Sequence, residues 1–174
     1  GHQGQIKKAA TLIKNAKRPL IIAGAGVLKS GAMDELKELA EKAQIPVTNT
    51  LVGLGGFPGD HELALGMVGM HGSVAANNCT DEADLVIAAG IRFHDRITGH
   101  PDFFCKKAKI IHIDIDPAEI DKNVTINVPI VGDLKRVLTE LNALVEPVTH
   151  ETWIEQIREW QKEYPMVVPE STNG

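Results

Sequence analysis

Residues 90–100 read GIRFHDRITGH and place Arg92 and Arg96 four positions apart, with Gly90 and Gly99 around them. A guanidinium is a planar fork that matches phosphate oxygens two bonds at a time, so such a pair suits a diphosphate. The competing account is a solvated face on which both arginines pair with Asp95, Asp102 or neighbouring acids. His94 and His100 lie beside Asp95, but no familiar ligand spacing joins them, and no metal is expected here.

Three other stretches hold ligand-type residues. GAGVLKSG (24–31) has the first two glycines of a G-x-G-x-x-G turn but carries Lys29 where the third belongs. An acid about 20 residues on is also missing, the segment ending in Thr48, Asn49 and Thr50, so the ordinary nicotinamide-dinucleotide fingerprint is rejected. What remains is a backbone-lined turn for a phosphate or a ring, or a tight turn that uses glycine for its own reasons. HIDID (112–116) supplies two acids: Asp116 before Pro117 is most simply a helix N-cap, and Asp114 is placed to accept from ribose hydroxyls. GMVGMHG (66–72) sets Met67, Met70 and His71 among glycines, as core or against a flat aromatic ring. Machinery for catalysis is sparse. Three serines (Ser30, Ser73, Ser171) lack a nucleophile-elbow context, no paired carboxylates or Cys–His arrangement stands out, and no catalytic residue is assigned.

The elements that must position these residues follow from apolar periodicity. Residues 5–16 predict a helix with Ile6, Ala9, Ala10 and Ile13 inward; 30–43 predict one with Met33, Leu36, Leu39 and Ala40 on one side. Helices are also expected near 72–82, over 134–145 and over 151–165, the last with Trp153, Ile157, Trp160 and Tyr164 at helical spacing. Almost unbroken apolar runs predict strands at 18–26, 45–50, 83–90, 108–116 and 127–133, while 51–72, with seven glycines, predict an extended loop. Continuously apolar strands alternating with helices imply a doubly wound, mainly parallel α/β sheet of about five or six strands, Rossmann-like in type. Ligands bind such sheets beyond the carboxyl ends of the strands. That edge is where the turns at 24–27, 48–56, 90–100, 114–123 and 132–134 converge.

Composition limits the possible partners. The 174 residues suffice for one domain with a real core, here 1–148, followed by a C-terminal helix and linker at 149–174. The net charge of -5 argues against nucleic acid, and no apolar run approaches the ~20 residues of a membrane span. Cys79 and Cys105 show no CxxC spacing, which fits a reduced, cytoplasmic setting. The first residue is not methionine, so processing, tag cleavage or excision from a longer protein is expected.

Taken together, GMVGMHG, GIRFHDRITG, IIHIDIDPAEIDKN and PIVGDL, in this order and spacing, resemble the central domain of the acetolactate synthase (acetohydroxyacid synthase) catalytic subunit, from about Gln5 to Tyr164. The resemblance implies a thiamine-diphosphate enzyme that decarboxylates pyruvate. The two-carbon unit then joins a second pyruvate or 2-oxobutyrate, in branched-chain amino-acid biosynthesis. It implies that this domain binds FAD without net redox work. The contacts carried over are Gly24, Ala25, Gly26, Thr50, Leu51, Met67, Val68, Gly69, Met70, His71, Gly90, Arg92, Arg96, Ile97, Asp114, Ile115, Gly132 and Asp133. The arginines would serve the diphosphate and ribityl region, Asp114 and Asp133 the adenosine, and the Met/His segment the flavin.

Thiamine diphosphate and Mg²⁺ would lie in two further domains. Here a lone GD at 132–133 stands without a GDG motif, so the expectation is an inactive module of a roughly threefold longer enzyme. Expected partners are the remaining domains of the same subunit, further copies in a homo-oligomer and a small regulatory subunit. Two departures from the family pattern are His94, where an acid is usual, and Ile91, where a smaller residue is common. His94 would also make the loop charge sensitive to pH near neutrality. The alternatives are another thiamine enzyme such as glyoxylate carboligase, which tends to lack a histidine at the position of His71, or a non-catalytic scaffold that no longer holds FAD.

Overall fold

Short apolar runs become strands only when neighbours cover both their faces, and this chain places six of them side by side. The computed structural model describes residues 2–50, 53–67, 73–91, 107–115 and 126–165. In chain order the elements are α1 (His2–Asn15), β1 (Pro19–Ala23), α2 (Ala25–Lys29), α3 (Met33–Ala43), β2 (Val47–Asn49), β3 (Ala64–Met67) and α4 (Val74–Glu82). β4 (Leu85–Ala89), β5 (Lys109–Asp114), β6 (Val128–Val131), α5 (Leu134–Leu144) and α6 (Glu151–Glu163) complete them. Every strand pairing is parallel, in the order β3-β2-β1-β4-β5-β6. β1 and β4 are buried along their whole length, which explains why they read as unbroken apolar runs. The α/β doubly wound expectation is what the chain adopts.

The helices make contact in two groups: α5 touches α1, α2 and α3, with α2 also against α3, and α4 touches α6. Ile6, Ala9 and Ile13 of α1 and Leu36, Leu39 and Ala40 of α3 are buried, as their spacing predicts. Two side chains depart from it. Met33, the first residue of α3, is 41% exposed, and the buried side at this helix start is taken by its N-cap Ala32 instead. Tyr164 is 47% exposed because α6 ends at Glu163.

Two elements escape the periodicity. α2 occupies residues expected to form only a glycine turn, and Ser30, expected to open the following helix, instead closes α2 with its hydroxyl on the Gly26 carbonyl at 2.6 Å. β3 runs through the glycine-rich expected loop. Its four residues include Gly66 at φ +80, and its register with β2 shifts between Val47 and Thr48. Pairing to β2 makes this an edge strand that local preference would not form.

The amino edge of the sheet is tied by side chains. Asp84 accepts from the amides of Lys17 and Arg18, each at 2.8 Å, locking the entry of β1 to that of β4. α6 closes the same edge. Its Trp153 indole donates to the Pro19 carbonyl at 2.8 Å, and Trp160 meets Trp153 edge-on at 5.8 Å. His150, just before α6, sets its ring nitrogens 2.7 Å from the Ala43 carbonyl and 3.0 Å from that of Ala16.

Two stability measurements test this packing by chemical denaturation. Ile87→Ala, in the fully buried centre of β4, is expected to cost about 3 kcal/mol through lost burial and the cavity left behind. Trp153→Phe keeps an aromatic ring but leaves the buried Pro19 carbonyl without its donor, and is expected to cost about 1–3 kcal/mol. A loss under half a kcal/mol (roughly the scale of a neutral surface change) would show that α6 does not close the amino edge.

Candidate functional site

Because all strands are parallel, their carboxyl ends share one edge: Ala23, Asn49, Met67, Ala89, Asp114 and Val131. Strand order reverses between β1 and β4, since β1 leads outward to β2 and β3 whereas β4 leads the other way to β5 and β6. At such a switch point the following loops part and leave a crevice for a ligand. Here the two loop roots are bonded to each other. The Gly24 amide donates to the Ala89 carbonyl at 2.9 Å and the Gly26 amide to that of Gly90 at 3.0 Å.

The glycines follow from that contact. A Cβ on Gly24 would lie 2.4 Å from the Gly90 carbonyl oxygen, and one on Gly26 2.7 Å from the Gly90 Cα. Gly90 itself has φ +64, a left-handed conformation that a side chain resists. Glycine is therefore required at all three positions by loop-on-loop packing, before any ligand is considered.

The remaining described positions close around this centre. Thr50 is buried, donates its amide to the Ala23 carbonyl at 3.0 Å and accepts from the Gly53 amide on its hydroxyl at 3.1 Å. Ala25 lies in the first turn of α2. The Gly132 amide donates to the Asp114 carbonyl at 3.0 Å, so the exits of β5 and β6 are joined. Asp133 caps α5, accepting from the Arg136 amide at 3.1 Å. Ile115 stands 71% exposed just beyond β5, an apolar side chain at the rim of the edge. Met67 ends β3. Leu51, Val68, Gly69, Met70, His71, Arg92, Arg96 and Ile97 lie outside the described residues, as do His94 and Asp116.

Two residues at this edge were passed over in the sequence. Asn49 ends β2 with 5% of its surface exposed, and its Oδ1 is buried without a hydrogen-bond partner. His112 is wholly buried in β5, with Nε2 2.8 Å from the Ile91 carbonyl and 3.8 Å from an Asp114 carboxylate oxygen. A polar residue among apolar neighbours was the available signal for His112, whereas Asn49, following Thr48 at the end of β2, carried none.

Nucleophile-type side chains among the described residues are otherwise engaged. Ser73 caps α4 and donates to the Leu65 carbonyl at 2.8 Å. Burial pushes the Cys79 thiol far above its ordinary range, so it stays protonated. Among the described residues, no group of three or more His, Cys, Asp or Glu is placed to hold a metal ion. No helix among them is long and apolar enough to cross a membrane. A cavity of about 970 Å³ lined by Arg18, Glu82, His150, Trp153 and Trp160 lies at the amino edge, the opposite end from the loops at which sheets of this type bind ligands.

Comparison with known proteins identifies the family. The family model for the thiamine pyrophosphate enzyme central domain matches residues 6–141. A probable acetolactate synthase large subunit of Methanocaldococcus jannaschii is 58% identical over 165 residues, covering 93% of this chain and 28% of the relative. An acetolactate synthase of Mycobacterium bovis is 46% identical over 179 residues, covering 99% and 29%. The Escherichia coli acetolactate synthase isozyme 3 large subunit is 42% identical over 160 residues, covering 92% and 28%. The chain thus spans under a third of the length of these relatives. With its six-stranded parallel sheet and a match running from the first helix into the last turn of α5, the chain belongs to the thiamine pyrophosphate enzyme family, as its central domain.

Proposed function

We propose that this chain is the FAD-holding central domain of an acetolactate synthase large subunit. The observation that carries the proposal is the joined β1 and β4 loop roots at the point of strand reversal, Gly24 and Gly26 against Gly90. The relatives' names supply the enzyme, since each is an acetolactate synthase or its large subunit.

The edge is suited to a dinucleotide on its own chemistry. It offers an exposed apolar side chain for a ring at Ile115, a carboxylate for hydroxyls at Asp114 and a buried, unpartnered amide oxygen at Asn49. Arg92 and Arg96, in the segment that follows Ile91, would provide the cationic forks for the diphosphate. FAD bound here would be a structural organiser, with no net oxidation in the overall reaction. Thr50, Gly132 and the glycine turn would hold it by keeping their loops in place, and Asp133 by holding the start of α5.

The reaction itself, condensation of two pyruvates or of pyruvate with 2-oxobutyrate with loss of CO₂, would belong to the whole subunit. Thiamine diphosphate and Mg²⁺ would be held by its other domains, and thiamine diphosphate would supply the carbanion chemistry. The working form would be a cytoplasmic homo-oligomer with a small regulatory subunit.

Flavin fluorescence during titration of the purified chain with FAD tests the site. Saturable quenching is expected, with Arg92→Ala and Arg96→Ala each weakening affinity about tenfold or more, as for a lost charge-assisted contact of about 1.5–3 kcal/mol. Equal affinity in wild type and both variants would remove the arginines from the diphosphate. Absence of binding by the wild type would favour the scaffold alternative. Incubated with pyruvate, thiamine diphosphate and Mg²⁺, the chain is expected to form no acetolactate, and robust turnover would show that it carries catalytic machinery of its own.

A further inference from the structure

A buried imidazole in the middle of an apolar strand needs a reason. His112 lies between Ile111 and Ile113 in β5 and has no exposed surface, although a polar ring costs free energy to bury unless it is hydrogen-bonded. Its Nε2 is 2.8 Å from the Ile91 carbonyl oxygen. A carbonyl only accepts, so this nitrogen carries the hydrogen and donates.

The position of that carbonyl gives the bond its significance. The parallel ladder between β4 and β5 has its last pair at Ala89 and Ile113. One residue further, the Gly90 amide still donates to the Ile113 carbonyl at 2.9 Å, and the Gly90 carbonyl is taken by the Gly26 amide in the first turn of α2. Gly90, at φ +64, turns the chain out of the sheet. Ile91 then stands beyond the last ladder pair, and the His112 side chain holds its carbonyl. Two successive carbonyls at the loop root are thus held by two different elements, that of Gly90 by the start of α2 and that of Ile91 by β5. A peptide unit is planar, so fixing the Ile91 carbonyl fixes the plane through which the chain leaves toward Arg92.

The same ring also faces the next loop. Asp114 follows two residues later on the same side of β5, and one of its carboxylate oxygens is 3.8 Å from the same Nε2. That distance exceeds a hydrogen bond, so the carboxylate is a near neighbour of the ring rather than its hydrogen-bond partner at Nε2. One buried side chain therefore connects the exit of β4 with the acid at the exit of β5, the two places where diphosphate and ribose contacts would arise.

We propose that His112 is a positioning residue for the dinucleotide edge: through its Nε2–H it sets the direction in which the chain leaves β4 and so determines affinity for FAD without touching it. The proposal rests on the FAD assignment above. Its basis is the set of three bonds at one loop root: Gly90 amide to Ile113, Gly26 amide to the Gly90 carbonyl and His112 to the Ile91 carbonyl.

The test compares wild type, His112→Leu and His112→Gln in the 174-residue chain, each titrated with FAD well below its own melting temperature and checked for folding by circular dichroism. The glutamine amide reaches about as far as Nε2 and can donate in its place, whereas leucine fills space and donates nothing. A roughly tenfold weaker affinity in His112→Leu with near wild-type affinity in His112→Gln is expected, tenfold being the effect of one lost bond of about 1.4 kcal/mol. In chain labelled with ¹³C at isoleucine carbonyls, the Ile91 resonance is expected to shift in the leucine variant and hold in the glutamine variant. If His112→Leu does not fold, His112→Asn, whose amide is too short to reach Ile91, replaces it with the same expectation. Wild-type affinity in the variant that lacks the donor, or equal loss in it and in His112→Gln, overturns the positioning role while leaving the FAD assignment intact. No FAD binding by wild type overturns both.

Discussion

The Gly26 amide donates to the Gly90 carbonyl and the Gly24 amide to that of Ala89, and these two bonds join the halves of the sheet where strand order reverses. On one side lie β1, β2 and β3; on the other, β4, β5 and β6. A backbone-to-backbone approach this close excludes every side chain at the contact, so glycine is the residue that permits it. The loops that follow are consequently launched from a fixed centre rather than from independent strand ends. Thr50 extends the connection to β2 through the Ala23 carbonyl, and Gly132 extends it from β5 to β6 through Asp114.

The two edges of the sheet are built differently. At the amino edge Asp84, Arg18, His150 and Trp153 lock strand entries and helix ends with side-chain bonds. Among the described residues at the carboxyl edge the bonds are mostly backbone to backbone, and Asn49 retains a buried acceptor without a partner. Among the described residues, Ile115 stands exposed just beyond β5 on the carboxyl side. The histidines mark the contrast, His150 bridging helix ends at the amino edge and His112 a loop root at the carboxyl edge.

Ligand-type residues need not owe their identity to a ligand. Gly24, Gly26 and Gly90 are accounted for by loop packing, and Asp133 by its cap on α5. These duties are compatible with cofactor contact, since the groups that hold a loop in shape also hold whatever that loop surrounds. They mean that replacing such a residue perturbs fold and site together. His112 matters for the opposite reason: its bond acts on a single carbonyl at the edge, beyond the last paired residues of β4.

By itself the sequence determined the layered α/β class, because strands covered on both faces must be apolar throughout, and PLIIA and LVIAA are. It determined the inward faces of α1 and α3, because burial there follows from helical period alone. It also determined that the glycines after β1, β4 and β6 would share one edge, since parallel strands have all their carboxyl ends together. Only the tertiary structure decided β3, whose glycine-bearing ALGM has weak strand preference and exists by pairing with β2. The same holds for α2, too short to show a period, and for His112, whose partner carbonyl lies 21 residues away in sequence. Local preference is written in neighbouring residues. Contacts across the sheet depend on which strand lies beside which, and that is set by the packing of the whole chain.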